Sequence, residues 1–257
     1  MEELKIFKKN GFISFENAID IRSINKIEKD IEYVLNQFCN ERNIDLKDIE
    51  TIPNKFCALE KISQGLFYQF SLLLGDIQSL NNPLFTDEFQ EFQFRLFEDL
   101  SIPFSCTHSG IFYNIKGVKR LQYDWHQERS YFPKHDLGIH YWGPLYKDIS
   151  ETGGPMLIKV KSHGEHFAYK KISKEGALTQ LKVADSELKD LEIYKCNINR
   201  GDMIIFDHKC VHCTEEVPTK DNPRVAFIRR FAGKSKGEFI PTTSTLTTSK
   251  NKDFSAK

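Results

Sequence analysis

Residues 201–231, GDMIIFDHKCVHCTEEVPTKDNPRVAFIRRF, decide the fold. Gly201-Asp202 reads as a turn, and Met203 to Phe206 is a short unbroken apolar run, the signature of a buried strand. His212 falls a few positions beyond it. Pro218, Asp221, Asn222 and Pro223 then break the chain before a second strand, RVAFIRRF, that begins at Arg224. Two strands this short, separated by turn residues, belong to an antiparallel all-β unit.

Working outward, the same texture covers everything after Pro103. GIFYNI (110–115), RLQYDWHQE (120–128), LGIHYWGPLY (137–146), GPMLIKVKS (154–162) and LEIYKCNI (191–198) are aromatic or β-branched and are divided by Gly, Pro, Asn and Asp. Residues 171–190, rich in Lys, Glu, Ser and Ala, interrupt the series and read as a mobile excursion with at most a short helix. Towards the N-terminus GFISF (11–15) reads as a strand. Ile24, Ile27, Ile31, Val34, Leu35 and Phe38 recur at helical spacing within a helix of about 21–43. Further helices are predicted at about 58–74 and 86–97. The expected fold class is therefore α+β: a double-stranded β-helix (jelly-roll, cupin-like barrel) with a mainly helical N-terminal layer. One domain is expected over 1–234, with the helical layer at about 16–98, the barrel at about 104–232 and a flexible tail over 235–257.

The composition is globular, with 40% hydrophobic and 28% charged residues, and 21 phenylalanines can wall a core or a pocket. The 36 basic and 36 acidic residues cancel. No net positive field is available to draw in nucleic acid or an acidic membrane, so the expected partner is a small-molecule substrate. No apolar run approaches the ~18 residues of a membrane span. MEELKIFKKN has no apolar core of a secretory signal, and the six cysteines are mostly scattered, so a cytoplasmic protein with reduced thiols is expected. Nothing in the chain indicates its oligomeric state.

Trp125-His126-Gln127-Glu128 carries the first chemical signal. On a strand, alternate side chains share a face, so His126 and Glu128 project together and can occupy adjacent positions on a metal. Taken alone, His-x-Glu also fits a surface strand. His212, from a distant strand, would complete a two-histidine, one-carboxylate triad, whose vacant positions suit Fe(II) and oxygen. Arg224 opens the last strand, and a guanidinium inside a barrel needs an anionic partner, which a dicarboxylate supplies by bidentate pairing. Arg229 and Arg230 read as surface ion pairs.

The order of these pieces resembles the phytanoyl-CoA dioxygenase family. NGFISFENAID, WHQE, ETGGPMLIKVKSHGEH and GDMIIFDHKCVHCTEEVPTKDNPR each match a segment of that family, and together they span about Asn10 to Phe231. The resemblance implies Fe(II) held by His126, Glu128 and His212, with 2-oxoglutarate as co-substrate and O2 as oxidant. It implies that Arg224 anchors the distal carboxylate of 2-oxoglutarate and that Thr214 supports it. Trp142 and Asn114 align near the co-substrate, and Gln127, between two ligands, is assigned to the same group. The implied reaction turns 2-oxoglutarate into succinate and carbon dioxide while hydroxylating an aliphatic carbon.

Two positions depart from the family. Glu128 stands where the family usually has Asp, pushing the carboxylate outward by about 1.5 Å, one C–C bond. Lys161-Ser162-His163 replaces Pro-Gly-Ser-His and leaves His163 as either a substrate contact or a loop tie. A carboxylate at 128 speaks against halogenation, which needs that position for chloride. Two rival readings stay open: a zinc site using Cys210 and Cys213 with His208 or His212, and a jelly-roll binding protein without catalysis.

Overall fold

A computed structural model describes residues 2–99, 104–131, 137–173 and 179–233. The predicted tail over 235–257 lies outside these residues. The chain opens with α1 (Glu2–Asn10) and β1 (Phe12–Phe15). The helical layer continues with α2 (Ile21–Glu41), α3 (Ile52–Ile62), α4 (Gln64–Leu74), α5 (Gln78–Asn81) and α6 (Asp87–Asp99). The strands of the barrel follow: β2 (Phe104–Asn114), β3 (His126–Gln127), β4 (Gly138–Leu145) and, after α7 (Ile149–Thr152), β5 (Met156–Lys159). A ribbon of β6 (Tyr169–Ile172) and β7 (Gln180–Val183) precedes β8 (Ile193–Lys195), β9 (Met203–Asp207), β10 (Val211–Thr214) and β11 (Arg224–Gly233).

The strands form a five-stranded sheet in the order β1-β9-β4-β11-β2 and a four-stranded sheet in the order β3-β10-β5-β8. All pairings are antiparallel. This interleaving of sequence-distant strands in two facing sheets is the expected jelly roll.

Alternation along β11 shows where each face of the large sheet goes. Val225, Phe227 and Phe231 point outward and join Ile13, Tyr141 and Ile205 in the core shared with the helices. Ala226 points inward with Trp142, Ile204 and Phe206. By the same parity, up to an irregularity after Arg230, Arg224 and Arg230 face the barrel interior. Phe227 is 1% exposed, and truncating it to Ala would cost about 3–5 kcal/mol.

The helices form for readable reasons. Asp20 caps α2 by accepting from the Arg22 amide, and Ile24, Ile27, Ile31, Leu35 and Phe38 are buried along one stripe. The helix predicted at 58–74 is in fact two. Ser63 takes extended backbone and caps α4 through its hydroxyl, 3.3 Å from the Leu66 amide, so one helix ends and another begins there. Helix α1 was not expected. Its acidic first turn and basic last turn favour the helix dipole, but only Phe7 is buried, too little apolar periodicity to read. No helix among the described residues is long and apolar enough to cross a membrane.

The segment expected to be a mobile excursion is built instead as a tied ribbon. Strands β6 and β7 pair with each other, with 174–178 outside the described residues. Val183 and Leu188 pack with Phe167 and Val211. The ammonium of Lys159, itself buried, donates to the carbonyls of Leu188 and Leu191 at 2.8 and 2.9 Å and lies over the Trp125 ring. The many lysines of this segment hid three buried apolar anchors, Leu181, Val183 and Leu188.

Candidate metal centre

Pairing of β3 with β10 sets His126 directly opposite His212, with ring centroids 4.2 Å apart. Glu128 follows at the start of a 3-10 turn over Glu128–Ser130 and is also buried. One ligand atom from each of the three lies within 4.8 Å of the others. Among the described residues this is the one His, Cys, Asp and Glu cluster of that kind.

The imidazoles are oriented from behind. Nδ1 of His126 lies 2.7 Å from the Asp124 carbonyl, and Nδ1 of His212 lies 3.0 Å from the Cys210 carbonyl. A carbonyl accepts only from a protonated Nδ1, which leaves each Nε2 lone pair for a metal. Burial, followed by the charge of neighbouring His126, pushes His212 down to about 3, so it is neutral at physiological pH. Burial alone would raise the carboxyl of Glu128. Arg230, the contact with His126 and His140 outweigh that and hold it well below the usual carboxylate range. A buried carboxylate beside two Nε2 atoms is the donor set that suits Fe(II), so the residues fit the group the sequence implied.

Arg224 supplies the second test of fit. It is 3% exposed, sits opposite Asn114 on β2, and lies 5.4 Å from the Trp142 ring. Its Nη1 donates to the Gly154 carbonyl at 2.5 Å, but Nε has no partner and no carboxylate among the described residues pairs with it. Burial pulls its pKa down to about 10. Burying a cation without a counter-ion costs several kcal/mol, so an anion bound beside Arg224 would offset that cost. Asn114 beside it donates to the Glu215 carbonyl and keeps an unpartnered Oδ1. Thr214 is half-buried and shares the strand face of His212.

Gln127 is a correction. It points to the opposite face of β3, where its amide donates to the carbonyls of Glu165 and Lys209 at 2.8 and 2.6 Å and accepts from the Phe167 amide. It ties loops together, and both of its amide hydrogens are already used there. His163 is likewise a tie, with Nε2 3.1 Å from the Lys8 carbonyl. The Cys210 sulfur donates to the Gly11 carbonyl, away from the triad, so the geometry gives no support to a zinc site there.

The sequence reading missed two residues. Arg230 is no surface residue: its Nε lies 2.9 Å from Oε1 of Glu128. His140 pairs in register with Arg230 on one side and Phe206 on the other, and is buried on the interior face. The available signal was parity, since Arg230 lies six residues after Arg224 on one strand and so on the same face. Arg229, of opposite parity, packs over Phe231 and Phe85 among the helices.

A jelly roll with His-x-Glu, a distal histidine and a buried, anion-seeking arginine defines the class of Fe(II)- and 2-oxoglutarate-dependent oxygenases. The phytanoyl-CoA dioxygenase (PhyH) family profile matches residues 7–226, and the chain belongs to that family. It is a 2-oxoglutarate-dependent dioxygenase that uses iron, 2-oxoglutarate and O2. Among solved structures it is similar to the non-haem α-ketoglutarate-dependent carbocyclase SnoK from nogalamycin biosynthesis. That match has 13% identity and a TM-score of 0.55, over 91% of this chain and 84% of that one. It is also similar to EctD from S. alaskensis with 2-oxoglutarate and 5-hydroxyectoine, at 15% identity and a TM-score of 0.53, over 90% and 75%. The epimerase SnoN, also from nogalamycin biosynthesis, matches at 11% identity and a TM-score of 0.53, over 90% and 80%. At such identities the likeness is one of fold. No curated protein sequence matches the chain.

Proposed function

We propose that the enzyme hydroxylates an aliphatic carbon of a small metabolite and releases succinate and carbon dioxide. The observation that carries this reading is a buried Arg224 with no anionic partner among the described residues, facing the same barrel interior as the His126, Glu128 and His212 cluster. Bound iron and 2-oxoglutarate would supply the oxidising power, and the chain supplies geometry, charge and an apolar wall. His126 and His212 offer Nε2, and Glu128 offers a carboxylate oxygen. Arg224 pairs with the distal carboxylate of the co-substrate, with Thr214 on the same barrel face and the Trp142 ring over the guanidinium. Asn114 completes that end, and Gln127 leaves the set.

The interior wall of Trp142, Ile204, Phe206 and Ala226 excludes water from the centre. The substrate is a small molecule, consistent with a chain whose charges cancel. We place the protein in the cytoplasm, where Cys39, Cys57, Cys196, Cys210 and Cys213 would stay as the free, buried thiols they are here. The test is succinate release, with Fe(II) and 2-oxoglutarate, against a library of metabolites, read together with the gain of one oxygen atom in the substrate. Full iron and co-substrate binding with no succinate from any candidate would favour a binding protein.

A further inference from the structure

The carboxylate of Glu128 is shared between two neighbours. Oε2 lies on the side of the triad, 3.4 Å from Nε2 of His126, whereas Oε1 lies 2.9 Å from Nε of Arg230. We propose that Arg230 is a positioning residue, which holds the far oxygen of Glu128 so that the near one is presented to the metal. The inference rests on the triad reading above. It also accounts for the glutamate itself. Glutamate has one more rotatable bond than the aspartate usual in this family, so its carboxylate sweeps a larger volume and needs a second point of attachment.

Arg230 is suited to that task. It projects from the interior face of β11, and its guanidinium lies 5.4 Å from the Phe112 ring. Across the strand stands His140, followed by Phe206, whose ring centroid is 5.1 Å from that of His140. Fenced on these sides, the guanidinium keeps its charge in a fixed place against Oε1 of Glu128 as a close ion pair, which a flexible ammonium would do less well.

The rival explanation is that Arg230 only balances the charge of Glu128, and the two accounts differ in sign. Removing a positive charge beside a cation site should tighten Fe(II) binding. Removing a positioning residue should weaken it. Anaerobic titration of Fe(II) into the metal-free Arg230→Met protein decides between them. The expected result is a Kd raised about 10–100-fold, the usual effect of losing the residue that orients a metal ligand. A Kd equal to or below wild type overturns the proposal.

Arg230→Lys keeps the charge and loses the planar guanidinium, and carries the test if the Met variant does not fold. Positioning predicts weaker binding for it than for wild type, and charge balance alone predicts no change. Glu128→Asp, made with and without Arg230→Met, gives a further readout: the aspartate should cost far less once Arg230 is gone, and additive effects overturn the proposal. Glu128→Ala separates the two levels of argument. If it binds Fe(II) as wild type does, the triad reading fails. If it loses Fe(II) while Arg230→Met and Arg230→Lys do not, only the positioning role fails.

Discussion

His126 and His212 face each other across the β3–β10 ladder, and each points its Nδ1 at the carbonyl two residues before it in the chain. Two Nε2 atoms are thereby aimed at one point before any metal arrives, which limits the ordering that binding must impose. One Fe(II) per chain is expected, with a visible charge-transfer band appearing only after 2-oxoglutarate is added under anaerobic conditions. His212→Ala should abolish the band. Undiminished iron binding in that variant would remove His212 from the centre.

Arg224 should separate co-substrate binding from stability. Losing one partner of a buried charge pair costs about 3–5 kcal/mol, so Arg224→Met should raise the KM for 2-oxoglutarate by roughly several hundred-fold or more. Iron affinity should change far less. In the 2-oxoglutarate-free protein the same substitution replaces an uncompensated buried cation by an apolar chain of similar length. Its melting temperature should therefore stay level or rise. A variant that retains normal co-substrate affinity would mean that another basic group is the anchor.

Burial, followed by the charge of His126, gives the folded His212 a pKa of about 3 against an ordinary 6.5. Between those values the unfolded chain binds the proton and the folded chain does not, so the metal-free protein loses stability as pH falls through that window. One such group contributes about 1.4 kcal/mol per pH unit. His140 is shifted in the same direction, chiefly by burial, and adds to the slope. Denaturant midpoints measured from about pH 8 to pH 4 should fall towards acid, with a shallower slope in His140→Leu. Equal slopes in the two proteins would show that His140 titrates normally in the folded chain.

How much of this was legible depended on how local the signal was. The strands on both sides of His212 declare themselves through short apolar runs and turn residues, and His-x-Glu is a two-residue spacing on a single strand. The jelly roll and the His126, Glu128 and His212 cluster were therefore readable. Ser63 defeated the reading of the 58–74 helix because a capping serine resembles any helix-surface serine until its backbone is seen to be extended. Arg230 was hidden for a different reason. Its partner, Glu128, lies about a hundred residues earlier, and only closure of the barrel brings the two together. The 171–190 segment misled because its buried anchors are isolated among lysines, and because it is tied down by a buried lysine, Lys159, whose ammonium donates to the Leu188 and Leu191 carbonyls and lies over the Trp125 ring.

Gln127 distinguishes adjacency in sequence from membership of the site. It stands between two members of the metal cluster, yet strand alternation turns it to the other face. There one side-chain amide satisfies the carbonyls of Glu165 and Lys209 and the amide of Phe167, joining the loop before β6 to the turn before β10. In Gln127→Leu those three backbone groups lose their partner, at about 1–3 kcal/mol for each one that stays buried and unsatisfied. Urea unfolding of the metal-free protein should show that loss, and hydrogen exchange should increase around residues 165–167. The KM for 2-oxoglutarate, measured well below the melting temperature, should stay within about twofold of wild type. A Gln127→Leu protein of normal stability with a strongly raised KM would return Gln127 to the co-substrate site and show that its side chain turns over when the co-substrate binds.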